Sequence, residues 1–183
     1  DLGGVVRALA LPPGARVADI GAGKGYFVPY LSSAVGDAGS VVGLDISESA
    51  VSDVRQRAEA GGLGNVVARV IPPDDPTIES GSVDRILVVN TWHHIEDRAP
   101  YAEKLRQSLR RRGRLVIVDF TMESPIGPPA APPPVARQRV VFIPDMSLLF
   151  CRYLERSEPS LQHLRRPILK RPCDTFGGDD GSG

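Results

Sequence analysis

Short apolar runs alternate along this chain with longer amphipathic segments, and glycine, proline and acidic residues separate them. Short apolar runs bounded by turn residues are typical of buried strands, and amphipathic segments are typical of helices. The alternation occurs five times before residue 121, which predicts an α/β fold with a doubly wound, mostly parallel sheet. The predicted strands are residues 16–20, 41–45, 65–71, 83–90 and 115–120.

The helices predicted between these strands begin and end at residues with a physical reason to do so. The chain starts with a helix that the prolines of residues 12–14 stop. A second helix is predicted over about 24–35, where Pro29 is tolerated because it lies early. Ser47 is expected to cap a third helix, which reaches about Ala60 before two glycines end it.

A last helix is predicted between the fourth and fifth strands. Asp97 is its expected cap, and Tyr101, Leu105 and Leu109 recur on one face. We expect this helix to end within residues 110–113, three arginines and a glycine, because cations suit the negative end of a helix dipole. That placement explains the arginines without a nucleic-acid-binding patch.

The most informative motif joins the first two strands. It contains Gly21, Gly23 and Gly25 at alternate positions, and Asp45 closes the second apolar run twenty residues later. Glycines let the backbone approach a ligand where a Cβ would collide. A carboxylate after the second strand can accept both hydroxyls of a ribose. We interpret the unit as a nucleoside-binding site, and the alternative is that the glycines only form a tight turn.

The spacing of this motif separates it from two phosphate-binding motifs. The dinucleotide fingerprint requires a third glycine where this chain has Tyr26, and a P-loop requires Ser or Thr where Gly25 follows Lys24. An NAD-dependent oxidoreductase is therefore disfavoured. Asp19, before the loop, suits a ligand with a cationic end, and S-adenosylmethionine (SAM) carries an ammonium, a sulfonium and no phosphate.

Four motifs occur in the order and at the spacing of one protein family. They cover residues 17–26, 41–46, 81–95 and 113–120. Residues 2 to about 129 thereby resemble the class I SAM-dependent methyltransferases, in particular small bacterial methyltransferase-domain proteins. The resemblance implies a Rossmann-like fold, SAM as cofactor, and transfer of its methyl group to a small-molecule acceptor by in-line displacement.

The resemblance also implies which residues contact the cofactor. Asp19 is similar to the acid that helps to hold the ammonium of the methionine moiety, and Asp45 to the acid that binds the ribose. Ile46 would lie against the adenine face, and Asn90 would contact the cofactor through its backbone. The remaining implied contacts come from the glycine loop: Gly21, Ala22, Gly23 and Gly25.

The acid that accepts from the adenine amino group in many relatives has no clear counterpart here. The position that aligns best is Pro72, and Asp74 and Asp75 lie slightly downstream. Asp74 is our candidate for this contact. Turn formation explains these residues equally well.

Two adjacent histidines follow the fourth strand, at the edge where ligands of such sheets bind. His94, or else His93, is our candidate general base, because imidazole titrates near neutral pH. The alternative is that one histidine packs structurally while the other lines the pocket. A hydroxyl or carbon-acid acceptor would need such a base, whereas a thiolate or an arsenical would not. Glu96 and Asp97 are expected to cap a helix, so no metal site is predicted.

Composition narrows the class of protein further. The chain has 183 residues and no net charge, so it suits one domain and has no electrostatic bias toward nucleic acid or anionic membranes. Cys151 and Cys173 are isolated, which predicts neither a disulfide framework nor a zinc site. We expect a cytoplasmic enzyme with no nucleic-acid or membrane partner, whose N-terminus is incomplete because it begins with Asp1.

The character of the chain changes beyond residue 124. Residues 126–183 hold nine of the seventeen prolines. We expect a SAM-binding core over 1–124 and a proline-rich, irregular or disordered tail over 125–183, without the regular sixth and seventh strands of the family. Residues 137–143 and 148–154 fit short strands at most. Our hypothesis is that the tail is not the family's own tail, and the alternative is simple divergence. For the function, the alternative is a non-catalytic relative that only binds cofactor.

Overall fold

The computed structural model describes residues 2–121 and 137–143. Six strands in this part of the chain form one sheet, accompanied by four α-helices and a short 3-10 helix (Trp92–His94). The helices are α1 (Leu2–Leu9), α2 (Val28–Val35), α3 (Glu48–Ala60) and α4 (Arg98–Ser108). The strands are β1 (Arg16–Ile20), β2 (Ser40–Asp45), β3 (Val66–Val70), β4 (Val83–Val89), β5 (Leu109–Thr121) and β6 (Arg137–Ile143).

The order of the strands creates the ligand-binding edge of the sheet. The order is β3-β2-β1-β4-β5-β6, and the first five strands are parallel. The chain proceeds outward from β1 through β2 to β3, and then crosses back to β4 on the other side of β1. In such sheets the crevice for a ligand lies at this reversal, outside the carboxyl ends of the strands. The predicted doubly wound α/β fold is confirmed.

The sixth strand comes from the segment that we assigned to the tail. β6 pairs with β5 in the antiparallel sense, from Leu115 opposite Ile143 to Thr121 opposite Arg137. The sheet therefore includes residues 137–143, a segment that the sequence fits as a short strand. The absence of a regular hairpin and the division into a core and a tail stay predictions. The expectation for residues 148–154 lies outside the described residues.

The end of α4 corrects a prediction. The helix stops at Ser108, and Leu109 is extended and pairs with Val83 of β4. The three arginines that follow therefore belong to β5 and do not lie at a helix terminus. Pairing with β4 overrides the helical pattern. Asp97 occupies the N-cap position as predicted, but its side chain makes no capping hydrogen bond.

Two other helices begin at or close to the residues that the sequence predicts. Ser47 caps α3, since its Oγ accepts from the Ala50 N–H at 3.4 Å. The start of α2 is later than predicted, at Val28, because the glycines at 21, 23 and 25 have positive φ and form turns.

None of the described helices combines the length and the apolar character needed to cross a membrane. A cytoplasmic location stays a prediction.

Candidate functional site

A cleft of about 200 Å³ opens where the parallel strands end. Residues far apart in sequence meet here because β1, β2, β3 and β4 all finish at the same edge. Its surface is mainly apolar with a few polar groups, which is typical of a site for a small organic molecule. The lining residues are Ile20, Gly21, Asp45, Ile46, Ile71, Pro73, Thr91, His94, Ile95 and Tyr101.

The three glycines of the β1–α2 loop serve different purposes. All have positive φ, between 53° and 69°, which favours glycine. A Cβ on Gly21 would overlap the Thr91 side chain, and one on Gly25 would lie 3.2 Å from Val54 Cγ2. A Cβ on Gly23 would meet only a carbonyl oxygen at 4.0 Å. The collisions at Gly21 and Gly25 are thus with the protein itself, and only Gly23 faces open space.

Asp45 is held in a fixed orientation at the end of β2. Its Oδ2 accepts from the Gly23 N–H at 2.9 Å, and its Oδ1 accepts from the Ser47 N–H at 3.0 Å. These bonds tie the glycine loop to β2. A carboxylate oxygen can accept about two hydrogen bonds, so each oxygen retains capacity for a ligand hydroxyl.

Asp19 is a buried acid with one unpartnered oxygen. Its side chain is 2% exposed, and its Oδ2 has no hydrogen-bond partner among the described residues. Burial raises the pKa of Asp19 to about 7, and repulsion from Asp45 adds to this shift. A ligand with a positive charge would stabilise the ionised form. Asp19 does not itself line the cleft, but it lies two residues before Gly21, which does. The unpartnered Oδ2 of Asp19, the open backbone at Gly23 and the acceptors of Asp45 are the groups available for the ammonium and ribose of SAM.

The two adjacent histidines have different surroundings. His94 lines the cleft, together with Asp45 and Ile46. His93 is instead bound to Asp119 near the end of β5. Its Nδ1 lies 2.8 Å from Asp119 Oδ1, and its backbone N–H donates to Asp119 Oδ2 at 2.9 Å. The imidazole of His93 is thus oriented by a carboxylate, and 45% of its side chain is exposed.

The predicted adenine contact is not found at the cleft. Asp74 is exposed and does not line it. The Asp75 carboxylate accepts from Lys104 Nζ at 2.9 Å and from the Thr77 N–H at 2.7 Å, and these bonds lower the pKa of Asp75. Pro73 and Ile71 are the residues of this segment that line the cleft. The structure therefore favours the turn interpretation for Asp75, and the adenine contact of Asp74 stays a prediction.

Two further predicted contacts lie beside the cleft. Asn90 has a positive φ of 49°, and its N–H donates to the Val118 carbonyl at 2.8 Å. Only its carbonyl is therefore available for a backbone contact with a ligand. The Ala22 N–H is similarly used, since it donates to the Leu44 carbonyl at 3.1 Å.

Sequence reasoning missed several residues of the site. Ile71, Thr91, Ile95 and Tyr101 line the cleft, but nothing in their local sequence distinguishes them from core residues. Asp119 did carry a signal. It is an acid near the end of an apolar strand, as Asp19 and Asp45 are, and strand ends of this kind meet at the ligand edge.

Comparison with known proteins identifies the class to which this fold and site belong. A family model described as a methyltransferase domain matches residues 11–132. The chain therefore belongs to the methyltransferase-domain family, and the resemblance seen in the four motifs is confirmed. A SAM-dependent methyltransferase from Aquifex aeolicus superposes with a TM-score of 0.63 and 29% identity, over 70% of this chain and 69% of that one. The cofactor of this class of enzyme is SAM.

Two curated relatives are particular methyltransferases. Nocamycin O-methyltransferase of Saccharothrix syringae is 30% identical over 118 residues, which cover 64% of this chain and 40% of that protein. Aklanonic acid methyltransferase of Streptomyces sp. (strain C5) is 24% identical over 160 residues, or 82% of this chain and 73% of that protein. The chain spans less than half the length of the first curated relatives it matches.

Proposed function

We propose that this protein transfers the methyl group of SAM to a small-molecule acceptor. The observation that carries the proposal is Asp19, a buried carboxyl group whose Oδ2 lacks a partner among the described residues, directly before the glycine loop. An uncompensated buried acid is costly unless a cation meets it. The ammonium of SAM supplies that cation, whereas the pyrophosphate of a dinucleotide would not.

Residues of the cleft, together with Asp19 of β1 beside it, would position the cofactor for reaction. Asp45 would accept the ribose hydroxyls, Asp19 would hold the ammonium, and Ile46 would lie against the adenine. The open backbone at Gly23 leaves space for the chain that joins ribose and ammonium. The sulfonium supplies an already activated methyl group. The protein's task is then chiefly alignment, which can lower a barrier by about 7–11 kcal/mol.

His93, rather than His94, is the better candidate for the general base. His94 lines the cleft beside the residues assigned to the adenosine. His93 lies toward β5, and its Nδ1 is bound to Asp119, so its Nε2 is the nitrogen that would accept a proton. Asp119 would then stabilise the imidazolium. This arrangement favours an acceptor that carries a proton on its nucleophilic atom, such as a hydroxyl group or a carbon acid.

The names of two relatives support a small-molecule acceptor. Nocamycin and aklanonic acid are named as the compounds of those enzymes, and the first enzyme is called an O-methyltransferase. Oxygen methylation requires loss of a hydroxyl proton, which agrees with a role for His93. An arsenical acceptor would need a thiol-rich site in the SAM-binding core. Both cysteines lie beyond residue 150 and outside that core, which argues against such an acceptor.

Calorimetric titration tests the cofactor assignment. We expect S-adenosylhomocysteine to bind and NAD not to bind. In a thermal-shift assay, S-adenosylhomocysteine at a hundred times its Kd should stabilise the protein by about 2.7 kcal/mol. Binding of NAD, or of neither compound to a cooperatively folded protein, would contradict the proposal.

A pair of neighbouring substitutions tests the base. With a panel of phenols and enols as acceptors, formation of S-adenosylhomocysteine from SAM is the measurement. We expect H93Q to lower the rate by about 10²–10⁴-fold without changing cofactor affinity. The matched variant H94Q should instead weaken cofactor binding. Equal rates for H93Q and the wild type with a hydroxyl acceptor would exclude His93 as the base.

A further inference from the structure

We infer that Lys104 is a positioning residue for cofactor binding, which ties the loop of residues 71–76 to α4 and so fixes one wall of the cleft. The inference rests on the proposed function, because the ligand in question is the adenosyl group of SAM. Lys104 does not line the cleft, and no sequence motif singles it out.

Lys104 makes two hydrogen bonds to adjacent residues of this loop. Its Nζ donates to the Asp74 carbonyl at 2.8 Å and to Asp75 Oδ2 at 2.9 Å. The other oxygen of Asp75 accepts from the Thr77 N–H at 2.7 Å, so the same carboxylate also closes a turn within the loop. One ammonium group therefore holds both the backbone and the side chain of a segment 29 to 30 residues away.

The two elements that Lys104 joins both contribute to the cleft. Ile71 and Pro73 line it from the loop, and Tyr101 lines it from α4. Tyr101 precedes Lys104 by three residues, and side chains at this spacing are neighbours on a helix surface. Ile46, the residue assigned to the adenine face, lines the same cleft. The bonds of Lys104 thus set where Pro73 lies relative to Tyr101, beside the adenosyl group.

The Lys104–Asp75 pair contributes little to folding stability. Both side chains are about two-fifths exposed, and exposed ion pairs are worth about 0–1 kcal/mol. The far end of α4 is anchored separately, because the Gly81 N–H donates to the Gln107 carbonyl at 2.8 Å and Ser108 Oγ donates to the Ile78 carbonyl at 3.2 Å. Loss of Lys104 would therefore free the loop of residues 71–76 from α4, and the C-terminal end of α4 would stay attached.

The substitution Lys104→Met tests this inference. We expect the affinity for S-adenosylhomocysteine, measured by calorimetry, to fall about three- to fivefold, because a smaller fraction of the protein holds the loop in the binding conformation. Adenosine, measured by competition, should lose the same factor. K104R should bind as the wild type does, since it keeps the charge and the donors. D75N should show a smaller loss than K104M.

Arg106 provides the matched control on the same helix. It pairs with Glu103 at 2.6 Å with similar exposure, but this pair does not touch the loop. R106M should leave the affinity unchanged, and the ligand-free thermal midpoints of K104M and R106M should agree. Wild-type affinity in K104M, an equal loss in K104R, or a loss confined to S-adenosylhomocysteine would overturn the inference alone. A wild-type protein that binds neither ligand would contradict the proposed function as well.

Discussion

Replacement of Asp19 by Asn tests whether the site contains an acid that opposes folding. Burial raises the pKa of Asp19 from 3.8 to about 7. The folded state therefore binds an extra proton between about pH 4 and pH 7, and its free energy of unfolding falls as the pH rises through this range. Above pH 7 the full difference of about three pKa units corresponds to about 4 kcal/mol.

The part of this pH dependence that we propose to measure by unfolding lies between pH 5.5 and pH 8.5. Over that interval the wild type should lose about 2 kcal/mol of unfolding free energy relative to D19N, because only the wild type ionises this group on the way. Urea unfolding at several pH values measures the difference. D37N changes an exposed aspartate and serves as the control, which should follow the wild type.

Ligand binding provides the second half of this test. The ammonium of S-adenosylhomocysteine should favour ionised Asp19, so wild-type affinity should rise with pH up to about 7 and then level off. Adenosine lacks the ammonium and should show no such rise. The reasoning is refuted if the stability difference between D19N and the wild type stays constant with pH. It is also refuted if D19N binds S-adenosylhomocysteine with undiminished affinity.

Four other substitutions are expected to affect different properties of the protein. Gly21→Ala should destabilise the fold by about 1–3 kcal/mol or more, because its Cβ overlaps Thr91. Gly23→Ala should cost only about 1–2 kcal/mol of stability, for its left-handed backbone, but its Cβ should block cofactor binding. Thermal denaturation and calorimetry together would show whether the two variants differ in this way. Asp45→Asn should weaken S-adenosylhomocysteine about ten- to a hundredfold, since it removes a charged acceptor, and unchanged affinity would exclude the ribose role. Leu87→Ala should lower the urea-unfolding free energy by about 2–5 kcal/mol, because Leu87 is fully buried in β4. A loss below about 1 kcal/mol would mean that Leu87 is not packed in the core.

Much of the site could be located from the sequence because its signals are local. Asp45 ends an apolar run, and Ser47 caps the helix that follows, so both could be assigned within one βαβ unit. Asp19 could be placed next to the glycine loop for the same reason. What could not be foreseen is that Gly21 makes room for Thr91, seventy residues later, because the strand order alone brings β1 and β4 together.

The local sequence does not distinguish the roles of the two histidines. His93 and His94 are adjacent in the sequence, and no local signal tells which of them is the base, so His94 in this role stays a prediction. The contact that distinguishes them, from His93 to Asp119, spans 26 residues and depends on β5 lying beside β4. The contact of Lys104 with the loop of residues 71–76 is of the same kind.

Hydrophobic periodicity, glycine spacing and helix capping by themselves determined the α/β class, the first five strands and the nucleoside-binding unit, because these signals act over a few residues. Tertiary structure alone decided that residues 109–112 join β5 and that residues 137–143 extend the sheet. It also decided which acids reach the cleft. The physical reason is that backbone pairing and burial depend on partners distant in the chain, and their free energies outweigh the local preference of a short segment.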